Sequence, residues 1–145
     1  LGLPRHRRAE ARIAEAAERA MARTGIAGLA GMAAGALAYG DRRRVEIARA
    51  LASGPRLLLL DEPAAGMTGG EKETLSALIR QLNGEDGLTI VLVEHNMRMV
   101  ARLCQRLVVM NKGEILAQGP TEEVLRMPEV EQVYLGRRRS GMARC

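Results

Sequence analysis

Aromatic side chains are nearly missing from this chain. Only 1% of its 145 residues are aromatic, with no Phe, no Trp and two Tyr. A platform that binds single strands by base stacking needs more, so no nucleic-acid partner is expected. Cysteine is equally scarce. Cys104 lies on a predicted core helix and Cys145 at the extreme terminus; neither a disulfide framework nor a metal site is suggested, and a reducing cytoplasm fits. No apolar run is long enough to span a bilayer and no secretory leader pattern opens the sequence, so membrane association is expected to come through partner subunits. Acidic residues are outnumbered, 17 against 22 basic ones, for a net charge of +5. That balance suits an anionic membrane surface or a nucleotide without deciding between them. Hydrophobic content of 47% supports a core, and the length fits one domain or part of one.

The most informative stretch present is Leu57-Leu58-Leu59-Leu60-Asp61-Glu62-Pro63. An unbroken apolar run reads as a strand buried on both faces, as in a parallel sheet. Two adjacent carboxylates at its end point to a magnesium-bound nucleotide, the first holding the metal and the second handling an attacking water. Downstream, Thr68 and Glu71 form a capping box ahead of Leu75, Leu78, Ile79 and Leu82, one face of a helix. The segment 83–87 breaks that helix, and 88–93 reads as a second buried strand rich in β-branched residues. Strand, helix and strand in this order make a βαβ unit, which favours parallel pairing.

Glu94-His95-Asn96 closes the second strand. Ligands of open α/β sheets bind at the carboxyl ends of strands, so Asp61, Glu62 and His95 are expected to face one crevice. Asn96 caps a helix with a predicted inner face of Met97, Val100, Ala101 and Cys104. Residues 107–110 form a third strand, Asn111-Lys112-Gly113 a turn, and 114–117 an antiparallel return; Thr121 caps a short helix after it. Upstream, a glycine turn within Leu37-Ala38-Tyr39-Gly40-Asp41 opens a helix that ends near Ser53-Gly54-Pro55. The free N–H groups of that start are a predicted anion site. Residues 8–23 read as an alanine-rich helix stopped by Gly25, and an Ala/Gly-rich stretch joins it to residue 37. Arg42, Arg43 and Arg44 read as a solvated helix face, and Arg137, Arg138 and Arg139 as a loose tail.

Together these residues resemble the ATP-binding subunit of ABC transporters. Leu37-Ala38-Tyr39-Gly40-Asp41 is similar to the signature loop usually written LSGGQ, residues 57–61 to the Walker B strand, Glu62 to the catalytic glutamate, Ala64-Ala65-Gly66-Met67 to the D-loop and His95 to the switch histidine. Four motifs in the correct order make the likeness specific, whereas Asp61 and Glu62 alone would pass for a polar strand end and His95 alone for a surface residue. The LAYGD form, the run 62–67 and the ending 128–136 resemble the branched-chain amino acid importer branch. No G-x-x-x-x-G-K-[ST] phosphate loop occurs in the sequence. The chain opens at Leu1 rather than methionine, and it is expected to be the C-terminal part of a cassette or a truncated gene product.

The resemblance implies an α/β fold: the C-terminal part of a P-loop NTPase, a mostly parallel sheet flanked by helices. Residues 1–36 would end a helical subdomain and linker, 37–119 form part of the catalytic core, and 120–145 form a C-terminal helix and subfamily tail. It implies ATP and Mg²⁺ as cofactors, with Asp61 holding the metal, Glu62 polarising the water and His95 meeting the γ-phosphate. Leu37, Ala38, Tyr39, Gly40 and Asp41 would bind nucleotide held by a second ABC ATPase subunit, a homo- or heterodimer partner. Ala38 stands where the family's serine would add a hydroxyl to the phosphate. Transmembrane permease subunits would hold the protein at the inner face of the plasma membrane, in the cytoplasm. A missing phosphate-loop strand should leave unpaired backbone and exposed apolar surface. Two other readings stand beside this one: a non-catalytic interaction fragment that pairs with an intact cassette or permease, and a non-transport ABC ATPase.

Overall fold

The computed structural model describes residues 4–133. The ending at 134–136, Arg137 to Arg139 and Cys145 lie outside the described residues. The chain forms two compact units, Leu1–His95 and Asn96–Cys145.

In the first unit, helix α1 (Pro4–Arg23) is the predicted alanine-rich helix, ended by Gly25. The Ala/Gly stretch that follows makes two short 3-10 turns, Ala27–Leu29 and Ala34–Ala36. Buried Ile26 and Leu37 anchor its two ends, each burial stabilising by roughly 1.5–3 kcal/mol. Helix α2 (Tyr39–Ala52) packs against α1 and buries Ile47, Ala48 and Leu51. Strand β1 (Leu57–Asp61) runs parallel to β2 (Thr89–Val93), with Leu57 opposite Thr89 and Asp61 opposite Val93. Helix α3 (Gly69–Gly84) makes the crossover and buries the predicted Leu75, Leu78, Ile79 and Leu82, with Ser76. Its capping box is complete: the Thr68 hydroxyl accepts the Glu71 N–H and the Glu71 carboxylate accepts the Thr68 N–H. The βαβ unit is therefore present as expected.

The strands are not buried on both faces. Burial alternates along β1: Leu58 and Leu60 are covered, whereas Leu57 and Leu59 are 50% and 69% exposed. Val91 and Val93, level with Leu59 and Asp61 in the ladder, are exposed too. A two-stranded sheet has one face packed by its own unit, and nothing among the described residues covers the other. This is the exposed apolar surface anticipated for a sheet without its phosphate-loop strand. Among the described residues β1 and β2 each have one strand neighbour, and their outer edges are unpaired there.

In the second unit, Asn96 caps helix α4 (Met97–Leu103), its side-chain oxygen accepting the Met99 N–H at 3.3 Å. Of the face predicted from Met97, Val100, Ala101 and Cys104 only Val100 is buried, and its buried neighbour is Met99. The helix is only seven residues long, and half-buried Cys104 already lies beyond it in extended backbone. Strands β3 (Arg106–Asn111) and β4 (Glu114–Pro120) form the predicted antiparallel hairpin, with a register shift between Val109 and Met110. Helix α5 (Thr121–Val124) is capped by Pro120, and Thr121 is its buried first residue rather than its cap. Residues 128–133 are helical as well. Val109, Ala117, Val124 and Val130 make the core of this unit, with Leu107, Leu116 and Met127 packed against it.

The architecture is thus α/β, with one parallel pair and one antiparallel hairpin in separate two-stranded sheets. The arginines of α2 are more than a solvated face. Arg42 donates to the Leu37 carbonyl, Arg43 to Glu46 and to the Tyr39 hydroxyl, and Arg44 to Asp41 and to the Gly25 carbonyl.

Candidate functional site

The parallel register sets Asp61 at the end of β1 level with Val93 at the end of β2. One residue further, Glu62 turns the chain with a φ of +43°, in the left-handed region that a side chain resists. Two backbone bonds hold it there: Glu62 N–H to the Val93 carbonyl at 2.9 Å, and Ala65 N–H to the Glu62 carbonyl at 3.1 Å. The turn brings the Glu62 carboxylate to His95, two residues past β2, with Glu62 Oε1 3.2 Å from His95 Nδ1. This distance is a hydrogen bond when Nδ1 carries the proton. Both side chains are more than half exposed, so the contact adds little to stability. A strained backbone residue at a strand end, held in place for an exposed contact, marks this turn as a candidate site.

Glu94 ties the same place together. One of its carboxylate oxygens accepts the Ala64 N–H at 3.2 Å and the other accepts the His95 N–H at 3.1 Å. The sequence offered only its position beside His95; its bridging role depends on how closely the two strand ends approach. The Asp61 carboxylate is exposed at the end of the ladder. A solvent-facing carboxylate fits a magnesium ion held through water and phosphate, since that ion takes few protein ligands. Among the described residues no three acidic, histidine or cysteine side chains cluster as a metal cage.

The start of α2 meets the chain just after this turn. Leu37 is buried, Ala38 is the N-cap without a side-chain cap bond, and Asp41 pairs with Arg44. The Tyr39 hydroxyl donates to the Ala65 carbonyl at 3.0 Å, and Gly66, with φ +73°, presents its backbone to the Tyr39 ring. The Gly40 N–H, predicted to be free for an anion, donates to Glu71 Oε1 at 3.2 Å. A Cβ on Gly40 would lie 2.7 Å from that oxygen, so any larger residue would push the Glu71 carboxylate aside. The Glu71 carboxyl is held below the ordinary glutamate range by the Thr68 N–H and hydroxyl first, and by the Gly40 N–H as well. The predicted site residues therefore fall into two linked groups. Glu62 and His95 touch, with Asp61 next in the chain; Leu37 to Asp41 bond to residues 65 and 71 and to α2 itself. Away from this place, burial pushes the Cys104 thiol up.

A family described as ABC transporter matches residues 3–65. The high-affinity branched-chain amino acid transport ATP-binding protein BraF of Pseudomonas aeruginosa is 41% identical over 133 residues, 92% of this chain and 52% of that protein. The corresponding LivG protein of Salmonella typhimurium is 41% identical over 136 residues, 94% of this chain and 53% of the relative. The lipopolysaccharide export system ATP-binding protein LptB of Acidithiobacillus ferridurans is 43% identical over 100 residues, 69% of this chain and 41% of that one. Among solved structures, the ADP conformation of MJ1267, an ATP-binding cassette of an ABC transporter, superposes with a TM-score of 0.78 at 30% identity, covering 86% of this chain and 50% of that one. The chain spans about half the length of the curated relatives it matches. The chain is thus similar to the ATP-binding cassettes of ABC transporters in fold, and to the branched-chain amino acid transport ATP-binding proteins along 92–94% of its length.

Proposed function

We propose that this chain carries the acidic pair, the switch histidine and the signature loop of an ATP-hydrolysing cassette that drives an importer of branched-chain amino acids. The observation that carries the reading is the 3.2 Å contact between Glu62 and His95 at the ends of two parallel strands. Glu62 polarises the attacking water and takes up its proton. His95 orients that carboxylate and meets the terminal phosphate. Asp61 holds magnesium, which supplies positive charge to the phosphates when bound. Leu37, Ala38, Tyr39, Gly40 and Asp41 face nucleotide held by a second ABC ATPase subunit. A related cassette, MJ0796, was solved as a dimer bound to ADP and Pi, at 33% identity and a TM-score of 0.53, which supports pairing and nucleotide as ligand.

The importer assignment follows the relatives named for branched-chain amino acid transport, which match 92–94% of the chain against 69% for the export relative. No helix among the described residues is long and apolar enough to cross a membrane. Transmembrane permease subunits would therefore hold the protein at the inner face of the plasma membrane. In the complete cassette carrying this sequence, Glu62→Gln and His95→Ala are each expected to lower Mg-dependent ATP turnover by roughly 100-fold or more. Wild-type turnover in both would remove the mechanism.

A second reading concerns the 145 residues taken alone. The sequence contains no phosphate-loop motif, and the β1–β2 sheet shows an open apolar face. These features favour a chain that pairs with an intact cassette or a permease and does not turn over ATP unaided. ATP hydrolysis by the purified chain alone would refute that reading.

A further inference from the structure

Two bonds leave the start of α2 for the segment that follows Glu62. One is the Gly40 N–H to Glu71. The other comes from Tyr39, an exposed residue with unusually defined surroundings. Its hydroxyl donates to the Ala65 carbonyl at 3.0 Å and accepts from Arg43 Nη2 at 3.0 Å. The Arg43 guanidinium also stands over the Tyr39 ring, 5.4 Å from its centre, and a second bond from Arg43 to Glu46 at 2.7 Å fixes that guanidinium. On the other side, the ring rests against the bare backbone of Gly66, where an added Cβ would already be in contact at 3.5 Å.

Ala65 is held from both ends. Its carbonyl accepts from Tyr39, and its N–H donates to the carbonyl of Glu62. Glu62 in turn touches His95. A short chain of bonds therefore runs from the helix start, through one peptide unit, to the strained residue that carries the acidic side chain. We propose that Tyr39, clamped by Arg43, is a positioning residue that fixes the 62–67 turn and through it the Glu62–His95 pair. The consequence for turnover rests on the reading of that pair as the reacting groups; the tie itself does not.

The test is NMR on the full 145-residue chain, comparing wild type with Tyr39→Phe and with Arg43→Met. Tyr39→Phe keeps the ring and removes only the hydroxyl. Arg43→Met keeps the stem and removes the clamp. Both are expected to move the Ala65 carbonyl ¹³C resonance and the His95 ring ¹⁵N resonances, with His6 on α1 unmoved as an internal reference. Exchange of the Ala65 and Met67 amides should quicken roughly fivefold, the loss of one ordinary hydrogen bond, while Ala48 and Leu51 in α2 keep their rates. Unmoved Ala65 and His95 resonances in Tyr39→Phe would overturn the proposal, including the case where exchange quickens evenly along the chain. In the complete cassette, Tyr39→Phe should lower kcat about tenfold with KM for ATP unchanged. An unchanged kcat beside a moved Ala65 resonance would overturn the positioning role. A wild-type cassette with no turnover would instead contradict the proposed function, and the resonances would still decide the tie.

Discussion

Glu62 sits where the backbone prefers glycine, and the rest of the turn is built to keep it there. The left-handed conformation costs a side-chain-bearing residue about 1–2 kcal/mol. Glu62→Gly is therefore expected to raise stability by roughly 0.5–1 kcal/mol, because the strain goes and the exposed contact with His95 contributes almost nothing. A urea midpoint measures this; a lower midpoint would mean that the carboxylate itself holds the turn. Glu71 gives a second prediction at this scale. Its folded-state pKa lies below its unfolded value, because protein N–H and hydroxyl groups favour the carboxylate. Its contribution is thus fully present above the ordinary glutamate range and is lost as the pH falls through the depressed value. The stability difference between wild type and Glu71→Gln, followed by urea unfolding across pH 7 to 3, should shrink toward the acid end. A difference that grows in acid would contradict the hydrogen-bond assignment. Glu62 and His95 were both legible in the sequence, since each follows a strand that ends in a polar run. Glu94 and the bond from Gly40 to Glu71 were not, because they span 30 and 31 residues and depend on the finished turn.

At the scale of elements, the helices were easier to read than the strands. The α3 pattern of Thr68, Glu71 and four spaced apolar residues contains both its start signal and its buried face, and the structure has both. Thr68→Ala is expected to cost about 1 kcal/mol and to quicken amide exchange in the first turn of α3. Leu82, fully buried at the far end, should cost about 2–5 kcal/mol as Leu82→Ala, seen as a lowered urea midpoint. The α2 start was harder. Its motif announced a helix opened by glycine, but the predicted free N–H at Gly40 is already engaged by a carboxylate 31 residues away. The short helix α4 misled for a related reason: with two turns or fewer, a periodic face cannot be told from its ends.

At the scale of the whole molecule, the apolar run 57–60 reads as a strand covered on both sides, and one side is open. Periodicity says that a run is apolar throughout; it cannot say which layers the same chain supplies. Leu57, Leu59, Val91 and Val93 line one face of the two-stranded sheet, rimmed by Asp61 and Thr89. Such a face binds apolar dyes. Leu59→Lys, at the centre of the strip, should reduce dye fluorescence without lowering the urea midpoint, because that side chain is 69% exposed. An unchanged dye signal would mean that the face is covered in solution. The α/β class, the parallel pair and the hairpin were all visible beforehand. The split into two separate two-stranded sheets was not, because it depends on which strands meet.

The measurement that bears most directly on the site is Mg-dependent ATP hydrolysis by the complete cassette carrying this sequence, with Glu62→Gln and the double variant Glu62→Gln/His95→Ala compared. Two groups that act as one unit give non-additive losses. The double variant should be no more than slightly slower than Glu62→Gln alone, itself reduced roughly 100-fold. Losses that multiply, or turnover that survives both changes, would contradict a shared role for Glu62 and His95 in cleaving the terminal phosphate.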